Sequence, residues 1–170
     1  MYDSRSDTIR HRYTVHKYIR AIMYKLHVRA WDHDSSKLDE PEKEIFDKVT
    51  PKLKELTYGS DEYNNQLKEM QIALDHHYKV NPHHPEYYEN GIKDMDLVDL
   101  VEMICDWKAA SERHDNGNIM KSIEINQKRF NFSDELKQIL VNTVKRYMEP
   151  IQYKDIKIPN LLNNSFDNYK

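Results

Sequence analysis

The chain has 170 residues, 38% hydrophobic and 32% charged, with a formal net charge of −3, three glycines, six prolines and one cysteine. That length fits one domain able to bury a core, and the scarcity of helix breakers favours an all-helical protein over a turn-rich one. The mixed charge gives no broad basic face for duplex nucleic acid, no apolar run reaches the ~20 residues that span a bilayer, and Cys105 has no partner for an intramolecular disulfide.

Helical spacing of Ile9, Tyr13, His16, Ile19, Ile22, Met23 and Leu26 predicts a first helix from an Asp7 N-cap to about residue 30. A short segment, 29–37, then carries His33 and Asp34. Asp39 is placed to cap a second helix with Pro41 and Glu42 in its first turn; it runs through Ile45, Phe46 and Val49, is kinked or divided at Pro51 and ends at Tyr58-Gly59-Ser60. A third helix, about 61–78, delivers His76 and His77. Pro82, Pro85 and Gly91 make 79–94 an ordered loop. Asp96 caps the most apolar helix, about 97–113, and residues 115–118 form a turn. Helices near 119–128 and 133–147, the latter capped by Ser133, complete a bundle of about six helices. The expected organisation is a helical domain over 1–148 and a C-terminal arm or tail over 149–170, rich in Asn, Lys and Pro.

Nine histidines are a heavy load for this length. Most stand beside carboxylates or each other: His33-Asp34 in WDHDSSKL, and His76-His77 and His83-His84 in LDHHYKVNPHHPEYY. Asp106, in MICDW, lies in an apolar helix, where a lone buried carboxylate is costly unless paired or metal-bound. Imidazole and carboxylate are the usual ligands of catalytic zinc, iron and manganese. A metal needs ligands from several elements, and four segments here offer them. Asp99, Glu102 and Asp106 share roughly one face of their helix.

The ordered set His16, His33-Asp34, the histidines at 76–84 and Asp106 resembles the H…HD…D pattern of the HD-domain superfamily of metal-dependent phosphohydrolases. The strings VHKY, HDSSKL, HHYKVNPHHPEYY and EMICDW are similar to those of a small HD-like family frequent in phage and bacterial genomes, over about residues 12–110. The resemblance implies an HD-type bundle that binds one or two divalent transition ions (Mn, Fe, Co, Ni or Zn). His16, His33, Asp34 and Asp106 would be the core ligands, His77, His83 and His84 would complete a second metal position, and Asp34 would bridge metals or hold attacking water. It further implies hydrolysis of a nucleotide or related small phosphorylated molecule, with Lys37, one turn after Asp34, facing the phosphate, and Asn81 and His83 contacting substrate. The His16–His33 interval is short for the superfamily, and without a GYP tripeptide cyclic-di-GMP cleavage is not implied.

Plainer readings stand beside these. His16 on an apolar stripe reads also as a core histidine, and His11 and His27 as surface residues. Which of His76, His77, His83 and His84 are ligands stays open, although His76 and His77 point roughly 100° apart on a helix and do not share one ion. Glu42 and Glu102 support the ligands or are surface charges; Tyr87 and Tyr88 stack on a base or pack; Cys105 packs as a small hydrophobe. Two other functions use the same residues: a di-iron oxygenase, and a binding protein with a structural metal. A polar N-terminus without an apolar core suggests a cytoplasmic protein, the host cytoplasm if phage-encoded, with no membrane partner; a homodimer is compatible with the sequence.

Overall fold

The computed structural model describes residues 2–55, 61–113 and 117–149. The expected helix end at 58–60, the first half of the turn at 115–118 and the arm beyond 149 lie outside the described residues. Those described form six α-helices and no strand. They are α1 (Arg5–Asp32), α2 (Glu42–Glu55), α3 (Asp61–Val80), α4 (Leu97–Ser111), α5 (Ile119–Phe130) and α6 (Asp134–Tyr147). Short 3-10 turns occupy Ser35–Leu38, Pro85–Tyr87 and Gly91–Asp94. The protein is all-α, as few glycines and a dominant helical period require. No described helix is long and apolar enough to cross a membrane.

The helix ends follow local chemistry. Asp96 accepts from the backbone N–H of Val98 and Asp99, while Asp99 returns a bond to the Asp96 N–H, a reciprocal cap. Asn118 and Ser133 cap α5 and α6 through their side chains. Two details differ from expectation, and the start of α2 does not. The N-cap of α1 is Ser4, which leaves Asp7 inside the first turn, where a carboxylate suits the helix dipole. Pro51 neither divides nor ends α2, which is continuous from Glu42 to Glu55. The residue N-terminal to α2 that receives a backbone bond is Asp39, through its carbonyl to the Lys43 N–H at 2.9 Å.

The chain groups into two compact units, Met1–Arg113 and His114–Lys170. In the second, α5 contacts α6, and Ile119, Ile123, Phe132, Leu140 and Val144 are buried. In the first, α2 lies against α3 and α1 against α4. Its apolar core of Val49, Met70, Ala73, Met103, Ile104 and Trp107 is matched by buried Glu42, His77, Asn81, His83, Asp99 and Glu102. Buried ionisable groups on that scale need mutual partners or an ion.

The apolar stripe expected to seat α1 in the core does not do so. α1 has no buried residue, and Ile9, Ile19 and Met23 are half or more exposed. Only its C-terminal end, from Leu26 through Ala30 to His33, borders α4. A 28-residue helix rises about 42 Å, whereas the 15 residues of α4 cover about half of that.

Candidate metal centre

Three segments bring the site together. The first is the C-terminal end of α1. Here His33 leaves the helix and Asp34 takes the left-handed conformation (φ 57°, ψ 15°). Asp tolerates that region better than most residues, but at a cost that surrounding contacts must hold in place. The turn frees the Asp34 carboxylate from the helix and aims it inward. The second segment is the end of α3 with the loop that follows, carrying His76, His77, His83 and His84. The third is α4, whose Asp99, Glu102 and Asp106 recur at helical spacing and face the other two segments.

The two oxygens of Asp34 face two groups of ligands. Oδ1 lies 3.2 Å from His77 Nε2 and 3.5 Å from His83 Nε2, and His84 Nε2 is 2.9 Å from His77 Nε2. Oδ2 lies 3.7 Å from His33 Nε2, which is itself 3.7 Å from Asp106 Oδ1. Asp34, His77, His83 and His84 thus offer ligand atoms all within 4.8 Å of one another, and so do His33, Asp34 and Asp106. Asp34 belongs to both sets.

Two glutamates fix the rings from behind. Glu42, fully buried, accepts from His76 Nδ1 at 2.7 Å and His77 Nδ1 at 2.9 Å. Glu102 Oε1 accepts from His33 Nδ1 at 2.8 Å and His83 Nδ1 at 3.1 Å, while Oε2 pairs with Arg29 at 2.5 Å. Arg29 also reaches Asp99 Oδ1 at 2.9 Å, and the Tyr88 hydroxyl donates to Asp99 Oδ2 at 2.5 Å. With Nδ1–H given to a carboxylate, the tautomer assigned from this network turns the Nε2 lone pairs of His33, His77 and His83 toward the cluster. Metal-binding histidines almost always donate this second ring N–H to a carboxylate, a backbone carbonyl or water. The third compact group, His33, His83 and Glu102, is this supporting contact seen from its Nδ1 side.

The donors fit a divalent ion. Asp34 Oδ1 and His83 Nε2 are buried atoms with no hydrogen-bond partner among the described residues, although they face each other and His77. Such atoms are costly unless something completes them. Imidazole nitrogens with carboxylate oxygens suit zinc, iron, manganese, cobalt or nickel. The side chains of His33, Asp34 and Asp106 are 30%, 17% and 21% exposed, so the site is open on one side. That opening meets a groove lined by Leu26, Ala30, Val101, Cys105 and Ala109. Cys105, expected as a core hydrophobe, is exposed there because it sits on the outward side of α4.

The electrostatics match. Burial acts to raise the Asp34 carboxyl, but His77 and Lys37 outweigh it and hold the group well below the usual carboxylate range. Glu102 is held down to about 2: burial opposes this, and His33 and His83 prevail. Burial, then repulsion from His83 and His77, drives His84 down to about 3, so it is neutral at pH 7. Asp106 and then Glu102 draw His33 up to about 10 against its desolvation. The metal-free protein therefore carries a proton on His33 that an ion must displace. Calorimetric zinc or manganese titration at about pH 8, in buffers of different ionisation enthalpy, is expected to show at least one proton released per chain. Affinity should rise with pH toward the His33 pKa. The stability that His33 gives the metal-free fold runs the opposite way: complete below its ordinary value of 6.5, lost as pH climbs to about 10.

Of the expected ligands, His33, Asp34, His77, His84 and Asp106 meet. His83, expected either in the second metal position or at the substrate, stands among the ligand atoms, buried with its Nδ1 on Glu102. His76 turns away to Glu42 and is partly exposed. Lys37 Nζ lies 2.5 Å from Asp34 Oδ2 at the edge of the cluster, one third exposed. Asn81 is buried; it donates to Ser36 Oγ at 2.8 Å and to the His77 carbonyl at 2.9 Å, which pins the end of α3 to the Ser35–Leu38 turn. His16 is a correction. It is exposed, belongs to none of the ligand groups, and lies 17 residues before His33 on one continuous helix, about 25 Å along the axis. His16→Ala is accordingly expected to leave metal content unchanged within about 10%, as read by elemental analysis of the purified chain.

Sequence reasoning misses Arg29 altogether, places Asp99 only on the polar face of its helix and offers Tyr88 only as a stacking or packing residue. The signal for Arg29 was its position one turn before His33 on the same helix. No curated protein and no solved structure matches the chain. Residues 1–146 match a family model described as a family of unknown function (DUF5662). With that match covering most of its length, the chain belongs to the DUF5662 family.

Proposed function

We propose that this protein is a metal-dependent phosphohydrolase acting on a nucleotide or related small phosphorylated molecule. One observation carries the reading: four imidazoles and two aspartates converge on a cluster that is open to a groove, with Asp34 presenting one oxygen to each ligand set. A purely structural ion is normally enclosed by its ligands, whereas a catalytic one keeps an open side. His33, Asp34 and Asp106 would hold one ion, and Asp34, His77, His83 and His84 another. A divalent ion held there supplies Lewis acidity, which acidifies water and neutralises phosphate oxygens.

The chain's own residues do the rest. Glu42 and Glu102 keep the rings in the ligating tautomer. Asp34, ionised throughout the physiological range, is placed to orient a water proton. Lys37 gives a phosphate arriving at the open edge a cation beside Asp34, and the apolar groove wall takes the non-phosphate part of the substrate. The cytoplasm is the compartment that suits a transition-metal site beside an exposed, unpaired Cys105.

A panel of nucleotides and phosphate esters with Mn²⁺, Co²⁺, Ni²⁺ and Fe²⁺, with and without oxygen, tests the reading by phosphate and product release. Cleavage of at least one ester supports it. Oxygen consumption with an organic substrate and no ester cleavage replaces it with the oxygenase reading. Lys37→Ala is expected to lower kcat/KM about 10²-fold or more while metal affinity stays within about threefold, because the lysine meets developing phosphate charge and not the ion.

A further inference from the structure

α1 concentrates positive charge in an otherwise acidic chain. Its 28 residues hold seven arginines and lysines against two aspartates, whereas the whole chain is at −3. The ion pairs of α1 engage Arg5, Arg10 and Arg29. Lys17 and Arg20 have no carboxylate partner among the described residues; Lys17 lies over the Tyr18 ring instead. At 100° per residue, Tyr13, Lys17, Arg20, Tyr24 and Trp31 fall within about 60° of one another, so rings and cations alternate along one face. The three rings are 73%, 66% and 79% exposed. Together they leave three large π-faces in water along one side of the helix. His27, edge-on to Trp31 with centroids 6.4 Å apart, continues the face toward its C-terminal end.

We propose that this face of α1 binds single-stranded nucleic acid. Lys17 and Arg20 would sit on phosphates, and Tyr13, Tyr24 and Trp31 would stack on bases. Rings interleaved with unpaired cations are the combination that holds single strands without reading sequence. From Tyr13 to Trp31 the face rises about 27 Å, a length suited to a strand of several nucleotides. A lipid surface fits less well. An interfacial helix keeps its apolar face free of charge, whereas Arg12 stands within about 20° of Ile19 on the Val15, Ile19 and Ile22 side of α1. Duplex recognition would use phosphates alone and leave the three rings without a partner. This site is separate from the metal centre and does not depend on its chemistry.

The test uses the full chain with a fluorescently labelled 12-nucleotide single strand, in excess chelator so that the metal centre takes no part, at about 50 mM salt. Anisotropy should rise with protein, Trp31 emission should be quenched by unlabelled strand, and affinity should fall with salt. Trp107, the second tryptophan, is buried and gives a constant background. Lys17→Glu with Arg20→Glu should weaken binding at least tenfold and flatten the salt dependence by about 1.4 in the log–log slope. Tyr24→Ala with Trp31→Ala should weaken binding at least tenfold without changing that slope. All four positions are exposed, so circular dichroism and the thermal midpoint should be unchanged. Undetectable strand binding, binding equal in the charge-reversed variant, or capture by vesicles of anionic phospholipid but not by the strand would each overturn the proposal.

Discussion

Asp34→Asn is expected to abolish metal binding and catalysis together while the chain stays folded. Asp34 alone faces both ligand groups, so losing its charge removes the shared ligand. It also leaves His33 and His77 without their ion-pair partner and Lys37 without its own. Outer carboxylates that merely orient a ligand are worth about 10- to 100-fold in affinity, and a ligand common to two positions should exceed that. Asparagine is the informative replacement because it tolerates the left-handed backbone at φ 57°. Asp34→Ala adds a conformational cost of about 1 kcal/mol, so it should lower the thermal midpoint where Asp34→Asn does not. Equilibrium dialysis with elemental analysis, alongside circular dichroism, separates the two effects. Metal retained at full occupancy in Asp34→Asn would place the centre elsewhere.

The second large effect belongs to a residue that touches no ion. Glu42 is fully buried and accepts from both His76 and His77. Glu42→Ala leaves the His77 Nδ1–H inside the protein with its acceptor gone and opens a cavity behind it, a loss of about 2–4 kcal/mol. The thermal midpoint of the metal-free chain should fall by about 5–15 °C. Glu42→Gln keeps the volume and one acceptor oxygen. It should fold, yet lose about 10- to 100-fold in metal affinity because the His77 ring is no longer held in one tautomer. A Glu42→Gln variant with wild-type affinity would show that the glutamate serves packing alone.

His33, Asp34, His77, His84 and Asp106 could be named from the sequence because histidines paired with each other or with aspartate, and an aspartate inside the apolar α4, have few inexpensive uses. His77 could be preferred over His76 only as one of two directions 100° apart; the structure decides by turning His76 back to Glu42. His16 misled for a physical reason. Helical spacing tells which residues share a face but not how far along that face a neighbour extends, and α4 borders α1 only at its C-terminal end. The same ignorance put Ile9, Ile19 and Met23 in a core that does not cover them. Glu42 and Glu102 could be named as supports but not separated from surface charges, since burial of a carboxylate is decided by what folds over it. Asn81 illustrates the converse: the NPHH string marked it as important, and its contacts make it a clip between Ser36 and the end of α3.

An ion held at Asp34 is the central expectation for this chain. The most direct measurement is the metal content of the full chain, purified without oxygen or chelator, for the wild type, His16→Ala and Asp34→Asn side by side. The expected result is one or two transition-metal ions per chain in the wild type and in His16→Ala, and none in Asp34→Asn. A wild type that takes up no divalent transition ion even when dialysed against an excess, or an Asp34→Asn chain as fully loaded as the wild type, would contradict it.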